Sequence, residues 1–188
     1  MADLTLKAAP VLGGKDMKRG DCHLVERDDL ALVSIAVPLG GKTALAKALK
    51  SRFDLNMPDA QNSTTAGNYR LIQTTPDQMM LIFAHPTPDA NEVVQKALSG
   101  AGYTTDQTDA WVCLELSGTG CLAALERLCP LDLDQSVFPD HAAKRTTMEH
   151  MGAIAVRLAS DRFLLLSASS SAGSFLHALE TSIDYTTP

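Results

Sequence analysis

Met79-Met80-Leu81-Ile82-Phe83 places five apolar residues in a row without a polar interruption. A strand with one wet face alternates apolar and polar side chains, so an unbroken run this short reads as a strand covered on both faces. Such a strand needs a layer on each side. Residues 69–73 supply its hairpin partner, with Pro76-Asp77 as turn chemistry between the two. Upstream, residues 30–37 carry β-branched side chains at Val33, Ile35 and Val37 and read as another strand. Leu45, Ala48, Leu49 and Phe53 then recur at the spacing of one helical face, leaving Lys47 and Lys50 to solvent. Residues 58–68, rich in Asn, Ser and Thr, read as a loop. Val93, Val94, Ala97 and Leu98 mark a second helix, stopped by Gly100 and Gly102.

The same order recurs downstream. Residues 111–116 read as a strand, Leu122, Leu125 and Leu128 as a helix, and residues 139–147 as a loop. Ile154, Val156 and Leu158 alternate as a strand, Ser160-Asp161 turns, residues 163–166 pair back, and Phe175, Leu176 and Leu179 lie on a closing helix. Val33 and Val112, Pro58 and Pro139, Asp77 and Asp161, and Leu98 and Leu179 are each separated by roughly eighty positions. The expectation is an α+β fold of duplicated βαββα halves, residues 30–102 and 103–188, packed as one compact domain about a pseudo-twofold axis. Residues 1–29 mix glycines with charges without sustained period and are expected to form an N-terminal arm.

Composition narrows the function classes. The 188 residues are 45% hydrophobic and 20% charged, enough for a real core. A net charge of −6 repels phosphate backbones, so no nucleic-acid partner is expected. The starting residues lack an apolar leader and no stretch is long enough for a membrane span, so the expected location is cytoplasmic, with no membrane partner. Cys22, Cys113, Cys121 and Cys129 contain no C-x-x-C pair and read as reduced structural thiols.

The residues that imitate chemistry each have a simpler reading. Gly41-Lys42-Thr43 follows a strand as in a phosphate-binding loop, but Ala36 stands where that motif requires its first glycine, and Ser117-Gly118-Thr119-Gly120 repeats the turn in the second half. A recurring architectural turn explains both. His23, His85, His141, His150 and His177 lie in separate elements without metal-ligand spacing. Ser117 is expected to cap the helix starting near Thr119, and Asp132 or Asp134 to cap a short segment at residues 135–138 rather than act as an acid/base pair. No catalytic constellation emerges, which points to binding or assembly.

Trp111-Val112-Cys113-Leu114-Glu115-Leu116-Ser117-Gly118, followed by Leu125-Glu126-Arg127-Leu128-Cys129-Pro130-Leu131-Asp132-Leu133, Phe138-Pro139, Arg145-Thr146 and Phe163-Leu164-Leu165-Leu166, resembles the gamma subunits of heterotetrameric sarcosine oxidases. That family has the aminomethyltransferase-like, folate-binding fold. The resemblance covers about the last eighty residues well and the first hundred by layout. It implies a non-catalytic subunit of an enzyme that oxidises sarcosine to glycine, forms hydrogen peroxide and passes the one-carbon unit to tetrahydrofolate. The implied partners are alpha, beta and delta subunits. FAD and FMN would sit on beta, NAD and tetrahydrofolate on alpha and zinc on delta, with no cofactor on this chain. Ser117, Gly118, Cys129, Pro130, Asp132, Arg145 and Phe175 are then structural or partner-contacting motif positions. Where the family usually has Arg-Ser and a later Trp, this chain has Ser169-Ser170 and Phe175, which still suits an apolar pocket. The alternative is a free-standing folate or pterin binder using a cleft between the halves.

Overall fold

A computed structural model describes residues 9–187. The elements run β1 (Asp16–Arg19), β2 (Cys22–Glu26), β3 (Leu30–Ala36), α1 (Lys42–Phe53), β4 (Ser63–Ala66), β5 (Tyr69–Thr75), β6 (Gln78–Ala84), α2 (Ala90–Leu98), β7 (Tyr103–Asp106), β8 (Trp111–Ser117), α3 (Cys121–Glu126), β9 (Ala143–Met148), β10 (Met151–Ala159), β11 (Arg162–Ala168) and α4 (Ala172–Thr186). They form two antiparallel sheets, one of order β1-β2-β8-β11-β10-β9 and one of order β4-β5-β6-β3-β7.

The unbroken apolar strands explain the layering. On β6, Met79, Leu81 and Phe83 pack with Leu45, Leu49 and Val94 of α1 and α2. Met80 and Ile82 point the other way and meet Ile154, Val156, Leu164 and Leu166 of the opposite sheet. β11 does the same, sending Phe163 and Leu165 toward Leu125, Phe175 and Leu179 of α3 and α4. The result is helix, sheet, sheet, helix, with an apolar layer at each of the three contacts. The two sheets are stitched at one edge, where Ser63 N donates to His141 O (2.7 Å) and Ala143 N donates to Gln61 O (2.9 Å).

Four expectations are corrected. Residues 58–68 and 139–147 are not loops throughout: β4 and β9 lie in them, so each half runs βαβββα. Both are edge strands, half wet, and β-branched threonines suffice there without apolar alternation. Residues 9–29 are not an arm. Cys22, Leu24 and Glu26 of β2 are buried and β2 pairs with β8, while residues 1–8 of the expected arm lie outside the described residues. Lys15 Nζ meets Glu180 Oε1 at 2.6 Å and Arg19 pairs with Asp184, clamping the hairpin along α4. Finally, β7 pairs with β3 in the five-stranded sheet, so residues 103–106 go with the first half and not, as expected, with the second.

Candidate functional site

The strand-to-helix turn at Ser117-Gly118 is a packing junction. Gly118 has φ +107°, and a Cβ there would lie 1.9 Å from the carbonyl oxygen of Asp21 in the β1–β2 turn. Only glycine lets the hairpin close over this turn. Ser117 does not cap α3, since it ends β8 and its Oγ donates to His23 O at 3.4 Å; Gly120 holds the cap position. The matching turn before α1 is closed by Gly41 N donating to Pro38 O (2.8 Å), with Lys42 and Thr43 exposed. A β-turn also precedes α3, with Cys121 N donating to Gly118 O (3.0 Å), but its positive-φ glycine stands first, whereas in the turn before α1 the left-handed Gly40 stands third.

Three of the other motif positions, Cys129, Pro130 and Asp132, lie on the connection from α3 to β9. Cys129 is buried and its Sγ lies 3.6 Å from Thr146 Oγ1. Pro130 and Asp132 are exposed, and Asp132 Oδ1 accepts the Asp134 N–H (3.0 Å). Asp134 Oδ1 accepts from Ser136 N (2.8 Å) and Oγ (2.6 Å), which holds its carboxyl below the usual carboxylate range. These aspartates shape the loop. Arg145 is exposed on β9, whereas Phe175, on α4, is fully buried in the core that also holds Cys129.

Sequence reasoning missed the residue that organises this connection. Arg157, on β10, is 2% exposed. Its guanidinium donates to Gln135 Oε1 (2.8 Å), Ser160 O (2.9 Å) and Leu133 O, and lies 4.6 Å from the centre of the Phe163 ring. The signal was an arginine alternating with Ile154, Val156 and Leu158, in register with Ala153 and Ala155 that face the helices. A second arginine joins the sheets. Arg27 grips Asp29 through Nε (2.7 Å) and Nη2 (2.8 Å) and reaches Glu115 of β8 through Nη1 (2.5 Å). Hydrogen bonding to Arg27 lowers the Asp29 pKa.

Two concavities stand out among the described residues. A seam groove of about 490 Å³ lies beside the stitch between the sheets, with Gln61, Gln73, Pro76, Leu131, Lys144 and Arg145 among its walls. A groove of about 580 Å³ runs along the outer side of α4, walled by Arg127 and Leu128 after α3 and by Glu149 and Met151 of the β9–β10 turn. His141 and His150 stand at opposite ends of β9, both in left-handed backbone. His85, Thr87 and Asp89 meet at the start of α2, but Thr87 Oγ1 (2.9 Å) and Asp89 Oδ1 (2.7 Å) both approach the same Nε2, so the ring relays no proton between them. Among the described residues no group of three or more His, Cys, Asp or Glu is placed to hold a metal ion. No described helix is long and apolar enough to cross a membrane. All four cysteines are free and buried, and burial pushes the Cys113 thiol up to about 12.

No protein-family model matches this chain, and no curated protein does. Among solved structures, a chain of the heterotetrameric sarcosine oxidase from Corynebacterium sp. U-96, in complex with pyrrole 2-carboxylate, superposes with a TM-score of 0.79 at 20% identity. The match covers 92% of this chain and 89% of that one. The glycine cleavage system aminomethyltransferase T from Bartonella henselae superposes with a TM-score of 0.61 at 14% identity, over 86% of this chain and 46% of that one. This chain thus spans under half the length of the second protein. These likenesses establish a mixed α/β, aminomethyltransferase-like fold with two antiparallel sheets.

Proposed function

We propose that this chain is a non-catalytic, gamma-type subunit of a cytoplasmic heterotetrameric sarcosine oxidase. The observation that carries the reading is the end-to-end match to one chain of such an oxidase: nearly all of both chains superpose. An N-terminal hairpin clamped on α4 by Lys15–Glu180 and Arg19–Asp184 suits a scaffold. In this reading alpha, beta and delta subunits hold FAD, FMN, NAD, tetrahydrofolate and zinc. Together they would demethylate sarcosine to glycine with formation of hydrogen peroxide and 5,10-methylenetetrahydrofolate. The two halves are a duplication related by a pseudo-twofold axis, a reading supported by the matching strand orders β8-β11-β10-β9 and β3-β6-β5-β4. Ser117, Gly118, Cys129, Pro130, Asp132 and Phe175 then serve the internal architecture, and Arg145 remains available to a partner.

The test is purification from the native host through a tag on this chain. The expected result is a flavin-bearing complex that forms hydrogen peroxide from sarcosine, and loss of that complex when the chain is deleted. A chain recovered alone, with sarcosine oxidation intact after its deletion, would overturn the reading. The seam groove favours a second reading, a free-standing folate or pterin binder, because pockets form at such internal boundaries. Saturable tetrahydrofolate binding by a monodisperse isolated chain, lost on Arg145→Ala, would put that reading first.

A further inference from the structure

We infer that the groove along α4 seats an amphipathic helix of a neighbouring subunit, lying antiparallel to α4; this rests on the subunit role proposed above. The groove has two differently charged ends. At one, the Arg127 guanidinium lies 5.2 Å from the centre of the Tyr185 ring, near the C-terminal end of α4. At the other, Glu149 precedes β10, whose start lies beside the end of β11 and therefore beside the beginning of α4. Among the described residues neither Arg127 nor Glu149 has an ion-pair partner. Between them lie the apolar Leu128, Met151 and Ala178, with the polar Ser174, His177 and Thr181 along the helix.

An occupant that satisfies both ends carries an acidic residue toward Arg127 and a basic one toward Glu149. A helix antiparallel to α4 has its N-terminus at the Arg127 end, where its macrodipole favours acid, and its C-terminus at the Glu149 end, where it favours base. A parallel helix would set both charges against its own dipole. From Ser174 to Tyr185 the groove follows α4 for roughly 16 Å, about three helical turns. Tyr185 is 73% exposed. An exposed tyrosine beneath an arginine is a pairing of the residue types that dominate interface energetics. Helices dock in such grooves through a few anchors repeated along one face.

The experiment is recovery of the complex through a tag on this chain, comparing wild type with Thr181→Arg and with the double reversal Arg127→Glu/Glu149→Lys. Arginine is a better helix former than threonine and the reversed residues are exposed, so the variants keep the wild-type thermal transition. The expected result is a loss of partner recovery by about tenfold or more for either variant, with recovery unchanged by Lys47→Ala on the opposite half. A photo-cross-linker at Tyr185 should map to a partner segment earlier in that chain than one at Ser174. Wild-type recovery with undiminished variants, or cross-links in the reverse order, overturns the inference and leaves the subunit role standing. If wild type recovers no partner, both fall. An isolated chain that dimerises, and is made monomeric by Thr181→Arg, shows a second copy in the groove and also overturns it.

Discussion

The two strand-to-helix turns occupy matching places in the two halves and make opposite demands. Before α1, Leu39 is fully exposed and a Cβ on Gly40 would meet nothing within 4 Å. Before α3, the β1–β2 hairpin covers the turn so closely that Gly118 has backbone in place of its Cβ. One glycine serves only a left-handed turn, at φ +70°, while the other also admits a second piece of chain. A positive-φ glycine is therefore optional in the turn of one half, where it stands third, and indispensable in that of the other, where it stands first.

The sharpest way to break this comparison is to substitute both glycines. Gly118→Ala should cost at least about 3 kcal/mol, because backbone must move and the residue is strained. Gly40→Ala should cost only about 1 kcal/mol, the left-handed conformation alone. Urea unfolding of both variants decides it, and equal losses would mean that the hairpin does not brace the second turn. The connections that follow the two helices differ in the same sense. Residues 127–142 form the longer one and are pinned by Arg157, whereas residues 54–62 are held by Leu55 in the helix-side core. Arg157→Met should cost about 2–3 kcal/mol by orphaning acceptors in that connection, and should speed amide exchange there while leaving residues 54–62 protected. Exchange rising equally in both connections would show that Arg157 supports the whole fold.

The smallest effect is a matter of reactivity. All four thiols lie in the second-half core or between the sheets, so thiol labelling reports on those layers alone. All four thiols are buried, so the native chain should not react with a thiol reagent at pH 8, and burial raises Cys113 to about 12 and Cys121 to about 11. Unfolding should release four reactive groups. Because the folded pKa values are raised, this contribution to stability is complete below the ordinary value of 9.0 and fades as pH climbs toward 12. Rapid labelling of the native chain would show that the second half opens more readily than its packing implies.

Much of the architecture was legible where a period exposes burial. Met79 to Phe83 announced a strand covered on both faces, Phe163 to Leu166 a strand pairing back, and Leu45, Leu49 and Phe53 a helix, because apolar spacing follows directly from which faces are dry. β4 and β9 were illegible because an edge strand leaves half its backbone and side chains in water, so Ser-Thr-Thr and Arg-Thr-Thr look the same in a loop. Arg157 was missed for a related reason: a charge within a strand reads as a wet position unless its acceptors, contributed from residues 133, 135 and 160, are known.

Sequence alone thus determined the types and order of the main buried elements from β3 onward, since hydrophobic period is a local record of burial. It also marked Ser117-Gly118 as special. Tertiary structure decided which strands share a sheet, that the N-terminal hairpin closes over Gly118, and that opposite charges, unpaired among the described residues, stand at the two ends of the α4 groove. Those features depend on contacts between residues far apart in the chain, and no local spacing encodes a distance across the fold.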